Sequence, residues 1–105
     1  MLKKALALFG LTVISSIAFA NTTVWTAGSN YKGTVIVPIE NGPRVEWKCN
    51  GEVCTLNGPY GRDLSLASCQ FLVSKIGPVT FYGNSEQKLW NKKHTMLAEC
   101  NRAAR

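Results

Sequence analysis

Between Arg44 and Cys49 the chain alternates without a break: Val45, Trp47 and Cys49 fall on one side of an extended backbone, Arg44, Glu46 and Lys48 on the other. A period of two is what a strand with one buried face requires. The stretch after Asn50-Gly51, Glu52 to Leu56 (EVCTL), completes a hairpin with it. Two further strands come before. Thr22 to Thr26 (TTVWT) and Tyr31 to Val37 (YKGTVIV) are dense in β-branched and aromatic residues. Gly28-Ser29-Asn30 turns between them, and Pro38 stops the second. Asn41-Gly42-Pro43 is a loop signal ahead of the alternating segment.

Past Asn57 the period changes. Leu66, Cys69, Val73 and Ile76 lie along one helical stripe, so a helix is predicted over Leu64 to Ile76, with Asp63 as its N-cap and Gly77-Pro78 as its stop. Val79 to Tyr82 (VTFY) is a short strand, Gly83-Asn84-Ser85 a turn and Gln87 to Leu89 a return strand. A last helix runs through about Cys100, with Leu97 and Cys100 on one face. Its start is either Asn91, acting as a cap, or Ser85. The fold class is therefore α+β, a small antiparallel sheet with two helices packed on one face.

The first twenty residues, MLKKALALFGLTVISSIAFA, stand apart from this pattern. Lys3 and Lys4 precede an uncharged apolar run, and Ala18-Phe19-Ala20 places small residues where a signal peptidase cuts. At roughly 14 residues the run is short for a stable membrane span. Residues 1–20 are read as a signal peptide cleaved near Ala20, and 21–105 as one domain, periplasmic or secreted. Loss of Lys3 and Lys4 lowers the net charge of the 105-residue chain from +6 to +4. No second apolar run in the mature part is long enough to cross a bilayer.

Export changes the meaning of the four cysteines. An even number in a small exported domain favours two disulfides, and three pairings exist. Cys49–Cys54 with Cys69–Cys100 is favoured, because the first pair is local and the second ties the two helices together. A tight Asn-Gly turn would leave Cys49 and Cys54 diagonal, near the limit for a disulfide. A four-residue loop, Asn50 to Val53, would set them directly opposite, and that wider loop is predicted. Zinc is disfavoured, since the second pair is thirty residues apart and there is one histidine, His94. A redox motif needs two residues between its cysteines, not four.

Little else reads as chemistry. His94, between Lys93 and Thr95, has no nucleophile or orienting acid in a recognisable setting and is read as a solvent-facing helical residue. Glu40, Glu46, Glu52, Asp63, Glu86 and Glu99 form no local pair or calcium loop. Gly58 to Asp63 (GPYGRD) exposes Tyr60 and Arg62 before a helix, a position able to hold an anion unless Asp63 already satisfies the helix N-terminus. Trp47 is assigned to the core, whereas Trp90, beside Asn91-Lys92-Lys93, is expected to be partly exposed. Lys88, Lys92, Lys93, Arg102 and Arg105 give the C-terminal part a basic character, with no nucleic-acid motif beside it. Asn21-Thr22-Thr23 is a glycosylation sequon, relevant only in a host with that machinery.

The segments WKCNGEVC, KIGPVTFYG after a helix with Cys69, and LAECNRAAR resemble a family of small exported bacterial proteins of unknown function. That family's pattern is a W-x-C…C hairpin, a helix with a third cysteine, a V/I-G-x-V-x-x-F/Y strand and a terminal L-x-x-C-N. The likeness covers Arg44 to Arg105; Thr22 to Val37 lie outside it, and Gly83 to Asn91 is longer than the pattern. The resemblance implies an envelope or periplasmic setting and no catalytic residues. The leading expectation is a non-enzymatic binding module, with an envelope protein or anionic envelope polymer as partner and no cofactor, metal or specific nucleic acid. Its candidate contact residues are Tyr60, Arg62, Trp90, Lys92 and Lys93. The alternatives are a small hydrolase using dispersed carboxylates or His94, and a secreted enzyme inhibitor or toxin.

Overall fold

A computed structural model describes residues 22–86 and 89–104. The expected signal peptide, residues 1–20, lies outside the described residues, as do Asn21, Arg105, and Gln87 and Lys88 of the expected return strand. The chain runs β1 (Thr23–Gly28), β2 (Lys32–Pro38), β3 (Arg44–Asn50), β4 (Val53–Gly58), α1 (Leu66–Ile76), β5 (Phe81–Asn84), β6 (Trp90–Asn91) and α2 (Thr95–Asn101). The strands form one antiparallel sheet in the order β2-β3-β4-β1-β5-β6.

Although consecutive, β1 and β2 do not pair. The β3–β4 hairpin sits between them, and the connector from β1 to β2 crosses its tip. There the Ser29 amide donates to the Glu52 carbonyl and the Gly51 amide to the Tyr31 carbonyl, both at 3.0 Å. The hairpin has the wide loop. Cys49 and Cys54 face each other in register with a Cα separation of 3.9 Å and are joined by a disulfide. Asn50 Oδ1 accepts the amides of Glu52 and Val53, each at 2.9 Å, while Gly51 takes a φ of 99° that favours glycine.

The alternation of β3 is realised residue by residue, with Val45, Trp47 and Cys49 buried and the intervening side chains exposed. Trp25 and Ala27 of β1, Cys54 and Leu56 of β4, Tyr82 of β5 and Trp90 of β6 complete the apolar face. The helices cover it. Cys69, Leu72, Val73 and Ile76 of α1 and Leu97 and Cys100 of α2 are buried in the same cluster. The Cys69–Cys100 disulfide, with a Cα separation of 5.7 Å, joins the two helices. Each such side chain contributes about 1.5–3 kcal/mol by leaving water. The opposite face carries Ile36, Glu46, Lys48 and Asn57 toward solvent.

Both helices start later than their periodicity implies. The N-cap of α1 is Ser65, not Asp63: Ser65 is extended (φ −124°, ψ 129°) and its hydroxyl accepts the Ser68 amide. Ser65 wins because the Glu40 carboxylate accepts its hydroxyl proton from the other side. At the far end Gly77 adopts φ 92° and donates to Val73 O, so the Gly-Pro stop is realised. α2 begins at neither Ser85 nor Asn91. Asn91 belongs to β6, and its side chain accepts the Lys93 amide in the turn that follows. His94 is the cap, its Nδ1 accepting from the Met96 amide at 3.1 Å. Strand β5 starts at Phe81 rather than Val79, because both backbone groups of Val79 are taken by the side-chain amide of Asn101 at 2.9 Å.

The two disulfides differ in how much chain they close, with sequence separations of 5 and 31. Loop-closure entropy assigns about 2 kcal/mol to the first and about 3.7 kcal/mol to the second. In urea unfolding, Cys69→Ser/Cys100→Ser is therefore expected to lose more stability than Cys49→Ser/Cys54→Ser. Equal losses, or the reverse order, would refute that ranking.

Candidate functional site

The inward side chains of β1, β3 and β5 do not all meet a helix. α1 starts only at Leu66, so the end of the sheet beside its first turn is left open. A cavity of about 240 Å³ lies there, floored by Trp25, Trp47 and Tyr82. Tyr60 and Arg62 from the β4–α1 loop form one wall, and Glu40 from the β2–β3 loop forms another. Asp63, Ser65 and Ser68 also line it.

The walls are tied to the scaffold. Ser68 Oγ accepts the Glu40 amide at 2.8 Å, and the Ser65 hydroxyl donates to Glu40 Oε1, so this loop is latched to the first turn of α1. The Arg62 carbonyl accepts from Asn84 Nδ2 at 3.0 Å, which fixes the other loop to β5. Tyr60 folds back over Gly58, where an added Cβ would lie 2.3 Å from the ring. Its ring stands 6.3 Å from that of Trp25, tilted by 42°. Glycine at position 58 is thus a condition for the position of Tyr60.

The floor is polar as well as aromatic. Trp25, Trp47 and Tyr82 are only 5%, 2% and 2% exposed. Among the described residues, neither indole N–H and no group on the Tyr82 hydroxyl forms a hydrogen bond, yet none of these polar atoms is sealed from solvent. The surface they retain belongs to side chains that line this cavity. Burial also pushes the Tyr82 phenol well above the usual tyrosine range, since the charged form would lose its hydration.

Of the sequence-predicted contact residues, Tyr60 and Arg62 come together at this cavity, and Trp90, Lys92 and Lys93 do not line it. Trp90 is not partly exposed: at 8% exposure it packs in the core, 5.7 Å from Tyr82 and stacked at 5.8 Å on the His94 ring. That stack is possible because β6 turns the indole inward opposite Tyr82. Lys92 and Lys93 are exposed on the turn after β6. His94 is solvent-facing but serves as a helix cap rather than a mid-helix residue. The contributions of Trp25, Trp47, Tyr82 and Glu40 were not evident from the sequence, where Trp47 reads as core and Trp25 only as part of a strand; the strand period that turns Trp47 inward was the one signal.

The anion reading of the GPYGRD loop loses support, because Glu40 already faces the start of α1 with a carboxylate. Glu40 and Asp63 line one cavity, while Glu46 lies on the opposite sheet face and Glu99 pairs with Arg102 at 3.8 Å. Among the described residues no three His, Cys, Asp or Glu side chains gather, and all four cysteines are in disulfides. No described helix is long and apolar enough to cross a membrane.

Fold and cavity together define a small α+β domain, stapled by two disulfides and open at one end of its covered sheet face. The chain belongs to a family of unknown function, DUF8200, whose pattern matches residues 8–102. The match takes in β1 and β2, which the motif resemblance from Arg44 onward leaves out. No curated protein and no solved structure matches the chain.

Because the Tyr82 pKa is raised, the folded chain resists ionisation that the unfolded chain undergoes near pH 10. The stability this supplies is complete below about pH 10 and is lost as pH rises above it. Urea midpoints measured from pH 9 to pH 11 are expected to fall, and to fall less in Tyr82→Phe. An unchanged slope in that variant would overturn the assignment.

Proposed function

We propose that this protein is a small, exported, non-enzymatic binding module of the bacterial cell envelope that takes its ligand in the cavity beside Tyr60 and Arg62. The observation that carries the reading is a preformed cavity lined by Trp25, Trp47 and Tyr82, whose hydrogen-bonding groups have no partner among the described residues. Such donors are costly unless something outside the fold satisfies them. Export is supported by the leader-like pattern of residues 1–20 and by two disulfides, which persist in oxidising compartments. The net charge of +4 expected after processing suits an anionic envelope.

One observation favours a second reading, a small hydrolase: Glu40 and Asp63 reach the same cavity. Glu40 is already engaged there, its Oε1 accepting from the Ser65 hydroxyl. Its second oxygen suits a contact to ligand hydroxyls, and Asp63 is the other carboxylate at the cavity.

The full chain, produced in a bacterial host, is expected outside the cytoplasm, shortened to begin near Asn21, and to sediment with washed envelopes. Gly58→Ala, which forces Tyr60 out of place, should reduce the sedimented fraction severalfold. Cytoplasmic retention at full mass would sink the export reading. Sedimentation untouched by Gly58→Ala and by Arg62→Ala would remove the cavity from it. Release of soluble fragments that stops in Asp63→Asn would establish the hydrolase instead.

A further inference from the structure

The chemistry of the cavity narrows its ligand. Its lining includes Trp25 and Trp47, whose indole N–H groups only donate, and Tyr82, whose hydroxyl can donate and accept. The rim supplies the Arg62 guanidinium, which forms no hydrogen bond or ion pair with another described residue, and Glu40, whose Oε2 is left over once Oε1 has accepted from Ser65. A hydrocarbon would leave all of these unmatched. An anion would meet Glu40 and Asp63, and a cation would meet Arg62 and two N–H groups it cannot accept from. An uncharged ligand with an apolar face and several hydroxyl or amide groups satisfies both halves of the set. The volume, about 240 Å³, lies below the roughly 300 Å³ at which cavities for drug-sized molecules begin, so it suits one ring rather than a chain of them.

We infer that the cavity binds one pyranose ring of an uncharged sugar, its hydrogen-bonding groups shared among Trp25, Trp47, Tyr82, Arg62 and Glu40 and its C–H face against the Tyr60 ring. The inference rests on the binding-module reading above and assigns it a ligand class. A sugar ring carries hydroxyls that donate and accept, which is what a mixed floor and rim demand. Aromatic rings offer such a ligand apolar area at little entropic cost, since their side chains are held by packing. The donor-only indole N–H groups of the lining residues also match the carbonyl of an acetamido substituent, so N-acetylated sugars are expected to bind better than plain hexoses.

The test is a titration of the full-length protein, followed by tryptophan fluorescence and by NMR of the indole N–H signals. The probes are glucose, N-acetylglucosamine and its β-1,4-linked trimer. Saturable binding is expected, with shifts at Trp25 and Trp47 and tighter binding of the acetamido sugars. Tyr82→Phe removes one hydroxyl and should weaken binding by about two- to tenfold. Arg62→Ala, on an exposed loop, should weaken it by a similar factor without touching the core. A trimer that binds much more tightly than the monosaccharide would point to a polymeric envelope glycan as the source, and equal affinities to a free sugar. No response to any probe at tens of millimolar would overturn the inference, as would binding that Tyr82→Phe and Arg62→Ala leave unchanged. Envelope sedimentation that persists and that none of the sugars competes away would sink the sugar and spare the binding module. Loss of both would end both readings.

Discussion

With Cys49 bonded to Cys54 directly across the hairpin, β3 and β4 have one register available to them. A slip by one residue would turn Val45 and Trp47 outward and Glu46 and Lys48 into the core. Because β4 pairs with β1 over its whole length, the same bond fixes which side of β1 carries Trp25 and Ala27. β1 in turn pairs with β5 and presents Ala27 opposite Tyr82. The short bond adds modest stability, yet it aligns every aromatic residue that later floors the cavity.

The larger disulfide acts on the other layer. It holds α1 and α2 together, and Asn101 at the end of α2 completes the backbone bonding of Val79. The open end of the sheet then depends on where α1 begins. Had Asp63 capped the helix, about half a turn more of α1 would have lain nearer Trp25 and Tyr82. Glu40 prevents this by accepting from the Ser65 hydroxyl, so a loop residue from the far edge of the sheet sets the length of the helix and with it the mouth of the cavity. The same carboxylate is therefore a structural latch and a wall of the site.

Much of the fold was legible because its signals are local. The alternation of RVEWKC, the stripe from Leu66 to Ile76, Gly77-Pro78 and the spacing of the cysteines each report on a few neighbouring residues, and the sheet, both helices and both disulfides follow from them. Most misplacements involve distant partners, the local His94 cap of α2 being the exception. Ser65 outcompetes Asp63 through Glu40, twenty-five residues away in sequence. Asn101 takes Val79 out of β5 from 22 residues away. Trp90 turns inward only because β6 pairs with β5. The cavity was half legible: Tyr60 and Arg62 stand in a loop rich in glycine and proline, whereas Trp25, Trp47 and Tyr82 come from three strands that only the strand order brings together.

That floor is a departure from consistency between the levels of the fold. A small domain has little stability to spare, and two indoles and a phenol could have been replaced by phenylalanine with less polar surface to satisfy. Each donor sealed without a partner would cost about 1–3 kcal/mol. Here the cost is relieved because the cavity is open and water can reach the polar atoms, so the arrangement is tolerated without being stabilising. Places where a local rule is broken without a compensating contact are characteristically functional or strained sites. The latched loops strengthen the point: Glu40 is held by Ser65 and Ser68, and the backbone of Arg62 by Asn84, through contacts within the fold. A ligand would then meet a site whose ordering cost has been met during folding, and modest contacts would suffice for recognition.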